Sequence, residues 1–179
     1  MQYIIGKFHG VKRKVMSASK GLFAKFPNRV FIETGSLFGD GIQQALDEGF
    51  KCVYSIEILP ELYEKCLERF KDRPEVHMIL GDSGKLLGAL LLTIDEPVTF
   101  WLDAHNGVSN SRLLEELEAI KNHPIKNHTI LIDDLRDWKI KRNGFDTQVL
   151  MNKLREINKD YKLTFEEGFK PNDVLVATI

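Results

Sequence analysis

Two acidic segments in this sequence carry side chains that could move a proton or hold a cation. Asp103 and His105 lie two residues apart in Trp101-Leu102-Asp103-Ala104-His105-Asn106. Asp133 and Asp134 open Asp133-Asp134-Leu135-Arg136-Asp137-Trp138. An unperturbed imidazole titrates near pH ~6.5, which makes His105 a candidate base beside Asp103. Asp103, Asp133 and Asp134 are also hard oxygen ligands of the kind that Mg²⁺ or Mn²⁺ takes. Three carboxylates in one cleft repel each other. A divalent cation, a shared proton, or a basic partner such as His105 or Arg136 has to offset that repulsion.

Three further segments have the chemistry of a ligand cradle. The first is Glu33-Thr34-Gly35-Ser36-Leu37-Phe38-Gly39-Asp40-Gly41, whose glycines let backbone N–H groups approach a ligand closely. Its spacing is not the dinucleotide fingerprint G-x-G-x-x-G. The second is Glu57, 22 residues after Gly35, a bidentate acceptor suited to the vicinal hydroxyls of a ribose. The third is Gly81-Asp82-Ser83, in which Asp82 or Ser83 could equally cap a helix.

Each segment follows an apolar, strand-like run. Val30–Glu33, Cys52–Ile56, Val76–Leu80, Val98–Leu102 and Thr129–Ile132 read as buried strands. Helical patterns alternate with them. They cover Gly41 to Phe50, the stretch after Pro60 with Leu62, Cys66 and Phe70 on one face, and the stretch after Ser83 with Leu86, Leu87, Leu90 and Leu91. Ser111 to Asn122 shows Leu113, Leu114, Leu117 and Ile120 on one side, and Glu115, Glu116, Glu118 and Lys121 are expected to face water. Phe145, Val149, Leu150, Leu154 and Ile157 make a last helix face. Five βα units predict a parallel sheet, because parallel strands need crossovers. Tyr161 to Phe165 and Val174 to Ile179 are too close in sequence for a helix and predict an antiparallel hairpin at one edge.

The composition is that of an ordinary globular chain of 179 residues, with a formal net charge of -1. No Asp or Glu precedes Val30, whereas Lys7, Lys12, Arg13, Lys14, Lys20, Lys25 and Arg29 do. Residues 1–28 are therefore expected to be a basic segment, either a solvated arm or a contact for an anionic partner, ahead of a domain at 29–179. Cys52 and Cys66 read as buried free thiols, and no Cys/His cluster has zinc spacing. With no signal-peptide pattern and no apolar run of membrane-spanning length, a cytoplasmic protein without a membrane partner is expected.

The stretch from about Arg29 to Ile179 resembles class I S-adenosylmethionine-dependent methyltransferases. The E/D-x-G-x-x-x-G pattern of Glu33 to Gly39, the acid at the second strand end and the acid after the third carry that resemblance. It implies a Rossmann-like α/β fold: a seven-stranded, mostly parallel sheet with one antiparallel edge strand and helices on both faces. It implies S-adenosylmethionine as cofactor, held by Glu33, Gly35, Ser36, Gly39, Glu57, Ile58, Asp82, Ser83 and Asp103. In that reading Glu33 orients the amino-acid end, Glu57 takes the ribose, Asp82 lies at the adenine and Asp103 faces the sulfonium.

Phe100 to His105, Leu113 to Ile120 and Ile130 to Asp134 resemble methyltransferase-like proteins associated with glycan modification. More distantly, Asp103 and Asp133 match ligand positions of the cation-dependent catechol and caffeoyl-CoA O-methyltransferases. Asn106 stands where that family has Lys, and Asp134 where it has Asn. The resemblance implies O-methylation of a sugar or another small hydroxylated acceptor, with Asp103 and His105 as catalytic residues. Asp103, Asp133 and Asp134 would hold Mg²⁺ or Mn²⁺ if a metal is used. The alternatives are a nucleic-acid methyltransferase, although no DPPY-like motif follows the fourth strand, and a non-catalytic cofactor-binding module in a glycan-synthesis assembly.

Overall fold

The computed structural model describes residues 18–104, 112–138 and 146–179. His105, Asn106, Ser111, Phe145 and the basic residues from Lys7 to Lys14 lie outside them. The strands are β1 (Val30–Thr34), β2 (Cys52–Glu57), β3 (Val76–Leu80), β4 (Val98–Leu102), β5 (Thr129–Ile132), β6 (Lys162–Glu166) and β7 (Val174–Thr178). The helices are α1 (Asp40–Asp47), α2 (Pro60–Arg69), α3 (Ser83–Leu91), α4 (Leu113–Asn122), α5 (Leu135–Trp138) and α6 (Thr147–Ile157).

The seven strands form one sheet in the order β3-β2-β1-β4-β5-β7-β6. The first five pair in parallel. β7 runs antiparallel to β5 on one side and β6 on the other, so β6 occupies the edge and β7 lies one place in. Strand order reverses between β1 and β4, which pair directly from Val30↔Val98 to Thr34↔Leu102. A ligand crevice in an open α/β sheet lies above the carboxyl ends of such a pair.

Alternate side chains of each central strand feed two separate cores, as a pleat covered on both faces requires. Val30 and Ile32, Phe100 and Leu102, and Ile130 and Ile132 pack against Leu87 and Leu91 of α3, Leu117 and Ile120 of α4, and Leu150 and Leu154 of α6. Phe31, Trp101, Leu131 and Val176 point to the other face, with Ile42 and Ala45 of α1 and Cys66 of α2. That second face is closed by Ala18, Leu22 and Phe23, all buried. The Phe23 ring meets Trp101 edge-on at 5.2 Å and Phe31 at 4.8 Å.

Ala18 to Phe26, ahead of the expected boundary at residue 29, pack onto the sheet. This stretch is part of the folded domain, tied down by Gly21 and Ala24 N–H groups donating to Glu48. The basic residues interleaved in it obscured its apolar anchors. Two of the basic residues ahead of β1 are ion-paired to the domain: Lys25 pairs with Glu166 at 2.6 Å, and Arg29 forks onto Glu96.

Behind β4 and β5, away from the crevice, two histidines form a hydrogen-bonded chain. The Val98 N–H donates to His128 Nδ1 at 3.1 Å. His128 Nε2 must therefore carry the proton it shares with His123 Nδ1 at 2.9 Å, leaving His123 Nε2–H to donate to the Ile94 carbonyl at 3.0 Å. Both rings are neutral in this arrangement. Burial pushes His128 down from an ordinary 6.5 to about 4. The unfolded chain therefore binds more protons than the folded one between those values. Stability from this chain is complete above pH 6.5 and is lost as the pH falls toward about 4. A loss of about 1–3 kcal/mol is expected across that window. Urea midpoints at neutral and acid pH check it, and His128→Gln should flatten the dependence; an unchanged slope in that variant counts against the chain.

Candidate active site

Gly35 opens the loop after β1 with a φ of 87°, and its N–H donates to the Ile56 carbonyl at 2.9 Å. A Cβ here would lie 3.0 Å from the Asp103 carbonyl and 3.2 Å from the Ala104 Cα. The glycine is what lets this loop press against the end of β4. A non-glycine residue, Leu37, also takes a positive φ of 49°. Its N–H donates to Glu57 Oε2 at 3.0 Å, and the Leu59 N–H donates to Oε1 of the same carboxylate at 2.9 Å. Glu57 thus joins the loops after β1 and β2. It is buried, and each oxygen keeps a second lone pair.

Glu33 is buried beneath the first loop rather than in the crevice. Ser55 Oγ donates to Glu33 Oε2 at 2.6 Å, and the Ser36 hydroxyl lies 2.7 Å from Ser55 Oγ. With the Ser55 proton directed at the carboxyl, Ser36 is the donor to Ser55. Burial raises Glu33 to about 8, opposed by the Ser55 hydrogen bond. Its other oxygen would lie 1.9 Å from a Cβ on Gly41, so the first turn of α1 rests directly on this carboxyl.

After β3, Asp82 caps α3: its Oδ1 accepts the Gly84 N–H at 3.1 Å, and Oδ2 lies 3.1 Å from Arg112. Ser83 is the first residue of α3 rather than its cap. Its hydroxyl is buried and donates to Glu116 Oε1 at 2.5 Å. Glu116 was expected to face water and is instead only 2% exposed. It stands three residues after Leu113 and four before Ile120, hence on the packed face of α4. Leu37, Ile58 and Leu80, one from each of the three loop-bearing strand ends, are exposed apolar side chains around this rim.

At the ends of β4 and β5 the acidic residues converge as their strand pairing requires. Asp103 donates its N–H to Thr34 at 3.2 Å, and Asp133 to Leu102 at 3.2 Å. Burial, then the charges of Asp133 and Asp134, hold the Asp103 carboxyl well above the usual carboxylate range. Burial raises Asp133 to about 7, while the Asp134 N–H opposes it. The residue that sequence reading missed is Asp173, which precedes β7 and is fully buried. Its side chain accepts the Arg136 N–H at 2.9 Å, and its carbonyl accepts the Leu135 N–H at 2.8 Å. Nothing local marks Asp173, because Arg136 lies 37 positions away and Leu135 is one further.

Arg136 is ion-paired with both Asp134 and Asp173. A basic partner therefore offsets much of the acidic repulsion. Among the described residues, three carboxylates lie close enough together to hold a divalent cation, with Asp173 in the place expected for Asp103. The carboxylates within 4.8 Å of one another, among the described residues, are Asp133, Asp134 and Asp173, not Asp103, and two of them already hold the guanidinium.

No protein-family model matches the sequence, and no curated protein does. Solved structures match over most of the chain. An S-adenosylmethionine-dependent methyltransferase from Clostridium acetobutylicum superposes with a TM-score of 0.58 at 10% identity, covering 89% of this chain and 87% of that one. The glycopeptide N-methyltransferase MtfA, complexed with S-adenosylmethionine, gives 0.58 at 12% identity over 88% and 84%. A Podospora anserina methyltransferase bound to S-adenosylhomocysteine gives 0.56 at 15% identity over 84% and 71%. The likeness is one of fold: this chain has the Rossmann-like α/β fold of class I methyltransferases.

Proposed function

We propose that the chain is an S-adenosylmethionine-dependent methyltransferase acting on the hydroxyl of a sugar or another small acceptor. One observation carries the reading. The glycine loop after β1 packs backbone to backbone against the end of β4, so a ligand cradle and the half-buried Asp103 share one crevice at the switch point. The residues around that crevice fit the cofactor. Glu57 retains acceptor capacity for the ribose, and the exposed Ile58 and Leu80 offer apolar surface to a purine beside Asp82. Ser36 and Glu33 act from below, through Ser55, to fix the loop that Gly35 and Gly39 shape.

When bound, S-adenosylmethionine supplies an electrophilic methyl group on a sulfonium. The protein has to deliver a hydroxyl oxygen in line with it and take up the proton. Asp103, just past the end of β4, is the proposed acceptor of that proton, with His105 two residues further on in the sequence. Raised above the carboxylate range, Asp103 is a stronger base than an exposed aspartate once ionised. A groove of about 350 Å³ lined by Leu135, Thr147, Phe165 and Asn172 borders the β5 side and is the proposed acceptor mouth.

Calorimetric titration with S-adenosylhomocysteine tests the assignment. The parent chain should bind it, and Glu57→Ala should bind it about 1–3 kcal/mol more weakly through the lost charge-assisted hydrogen bonds. Equal affinities would remove Glu57 from the site. Binding of NAD in place of S-adenosylhomocysteine would end the methyltransferase reading. Turnover against a panel of sugars then distinguishes an enzyme from a silent cofactor-binding module.

A further inference from the structure

The first turn of α4 grips the first turn of α3 at three points. Glu116 accepts the Ser83 hydroxyl at 2.5 Å, and Arg112 holds Asp82 at 3.1 Å. Between them the chain at Gly84 comes so close that a Cβ there would sit 3.1 Å from the Glu115 Cβ and 3.4 Å from the Arg112 Cβ.

The helix start does not need this grip to be capped, since Asp82 already accepts the Gly84 N–H. Stability does not favour it either. A carboxyl set among Leu113, Leu117 and Ile120 loses its hydration, and burial pushes Glu116 up to about 7. The Thr34 hydroxyl, at the last position of β1, also faces this carboxyl and favours its charged form, without meeting regular hydrogen-bond geometry. One buried carboxyl therefore underlies both the loop after β1 and the loop after β3.

We propose that Glu116 is a positioning residue which, with Arg112, fixes Asp82 and Ser83 in the register that lets the loop after β3 receive a purine base. The proposal rests on the cofactor reading above. A helix that begins beyond the Asp103 segment thereby sets the geometry of the base pocket on the far side of the crevice. The clamp acts on the base and leaves the ribose, held by Glu57, alone.

Base discrimination is the readout that a merely stabilising contact would not move. Affinities for S-adenosylhomocysteine and S-inosylhomocysteine are to be measured by calorimetry for the parent, Glu116→Ala, Glu116→Gln and Ser83→Ala. The parent is expected to prefer the adenosyl compound. Glu116→Ala and Ser83→Ala should each weaken it about tenfold, the order of one lost charge-assisted hydrogen bond, and should erase most of the preference. Glu116→Gln keeps an acceptor for Ser83 and should stay within about threefold of the parent. Ser83→Ala removes the same bond with a small change of volume, which covers the case of a poorly folded Glu116→Ala. Variants that lose both ligands by one factor, or that bind both as the parent does, overturn the clamp and leave the cofactor reading standing. A parent that binds neither ligand overturns that reading, and the clamp's role with it.

Discussion

Asp103→Asn is expected to slow methyl transfer by about 10²–10⁴-fold, the usual worth of a positioned base. S-adenosylhomocysteine affinity should change little, because the backbone contact between the Asp103 carbonyl and Gly35 survives the substitution. The size of the effect follows from placement. Asp103 ends the strand that pairs with β1, and burial together with the Asp133 and Asp134 charges holds its proton tightly. A base works when deprotonated, so the parent rate should rise with pH through this raised value, and Asp103→Asn should flatten that limb. Excess chelator should leave the parent rate unchanged, because Arg136 already occupies Asp134 and Asp173. Full activity of both Asp103→Asn and His105→Ala would dismiss both candidate bases. Loss of activity in chelator, restored by Mg²⁺, would return the acidic cluster to metal chemistry.

Gly41→Ala is expected to destabilise the fold by about 1–3 kcal/mol, the range for forcing an added methyl into a packed site. The new Cβ would stand 1.9 Å from Glu33 Oε1, and that carboxyl is buried and fastened to Ser55 at 2.6 Å, so it has nowhere to go. Gly88→Ala is the matched control. It lies inside α3, and its Cβ would meet only the Ala119 Cβ at an ordinary 3.8 Å. That substitution should stabilise by about 0.5–1 kcal/mol through helix propensity. Chemical denaturation of the two variants checks both signs. Equal stabilities would mean that the Glu33 carboxyl moves freely and does not support the loop.

The elements were legible because each strand is a short apolar run with its own stop signal. Val76–Leu80, Val98–Leu102 and Thr129–Ile132 are strands over the expected residues, and Pro60 begins α2. The positions of Glu57, Asp103 and Asp133 at strand ends were legible for the same reason. What escaped was set by contacts remote in sequence. Glu116 read as solvated because charge was weighed above its helical position. Asp173 carries no local signal and acquires its role only when β7 pairs with β5 and brings it to Arg136. Leu22 and Phe23 were hidden among lysines and are recognisable only from the sheet face that they close.

The placement of β7 between β5 and β6 dictates an order of events during synthesis. β6 leaves the ribosome before β7, yet among the described residues β7 is the strand it pairs with in the sheet. Until β7 inserts, β5 ends the sheet with an open row of buried-type residues, Thr129 to Ile132, and β6 waits unpaired. Such open edges recruit strands from other chains. The waiting strand is ill suited to that: Lys162, Thr164 and Glu166 alternate along it, and charge and polarity discourage stacking with a second copy. The apolar β7, Val174 to Thr178, is made last of the three and can be buried at once between two partners already present.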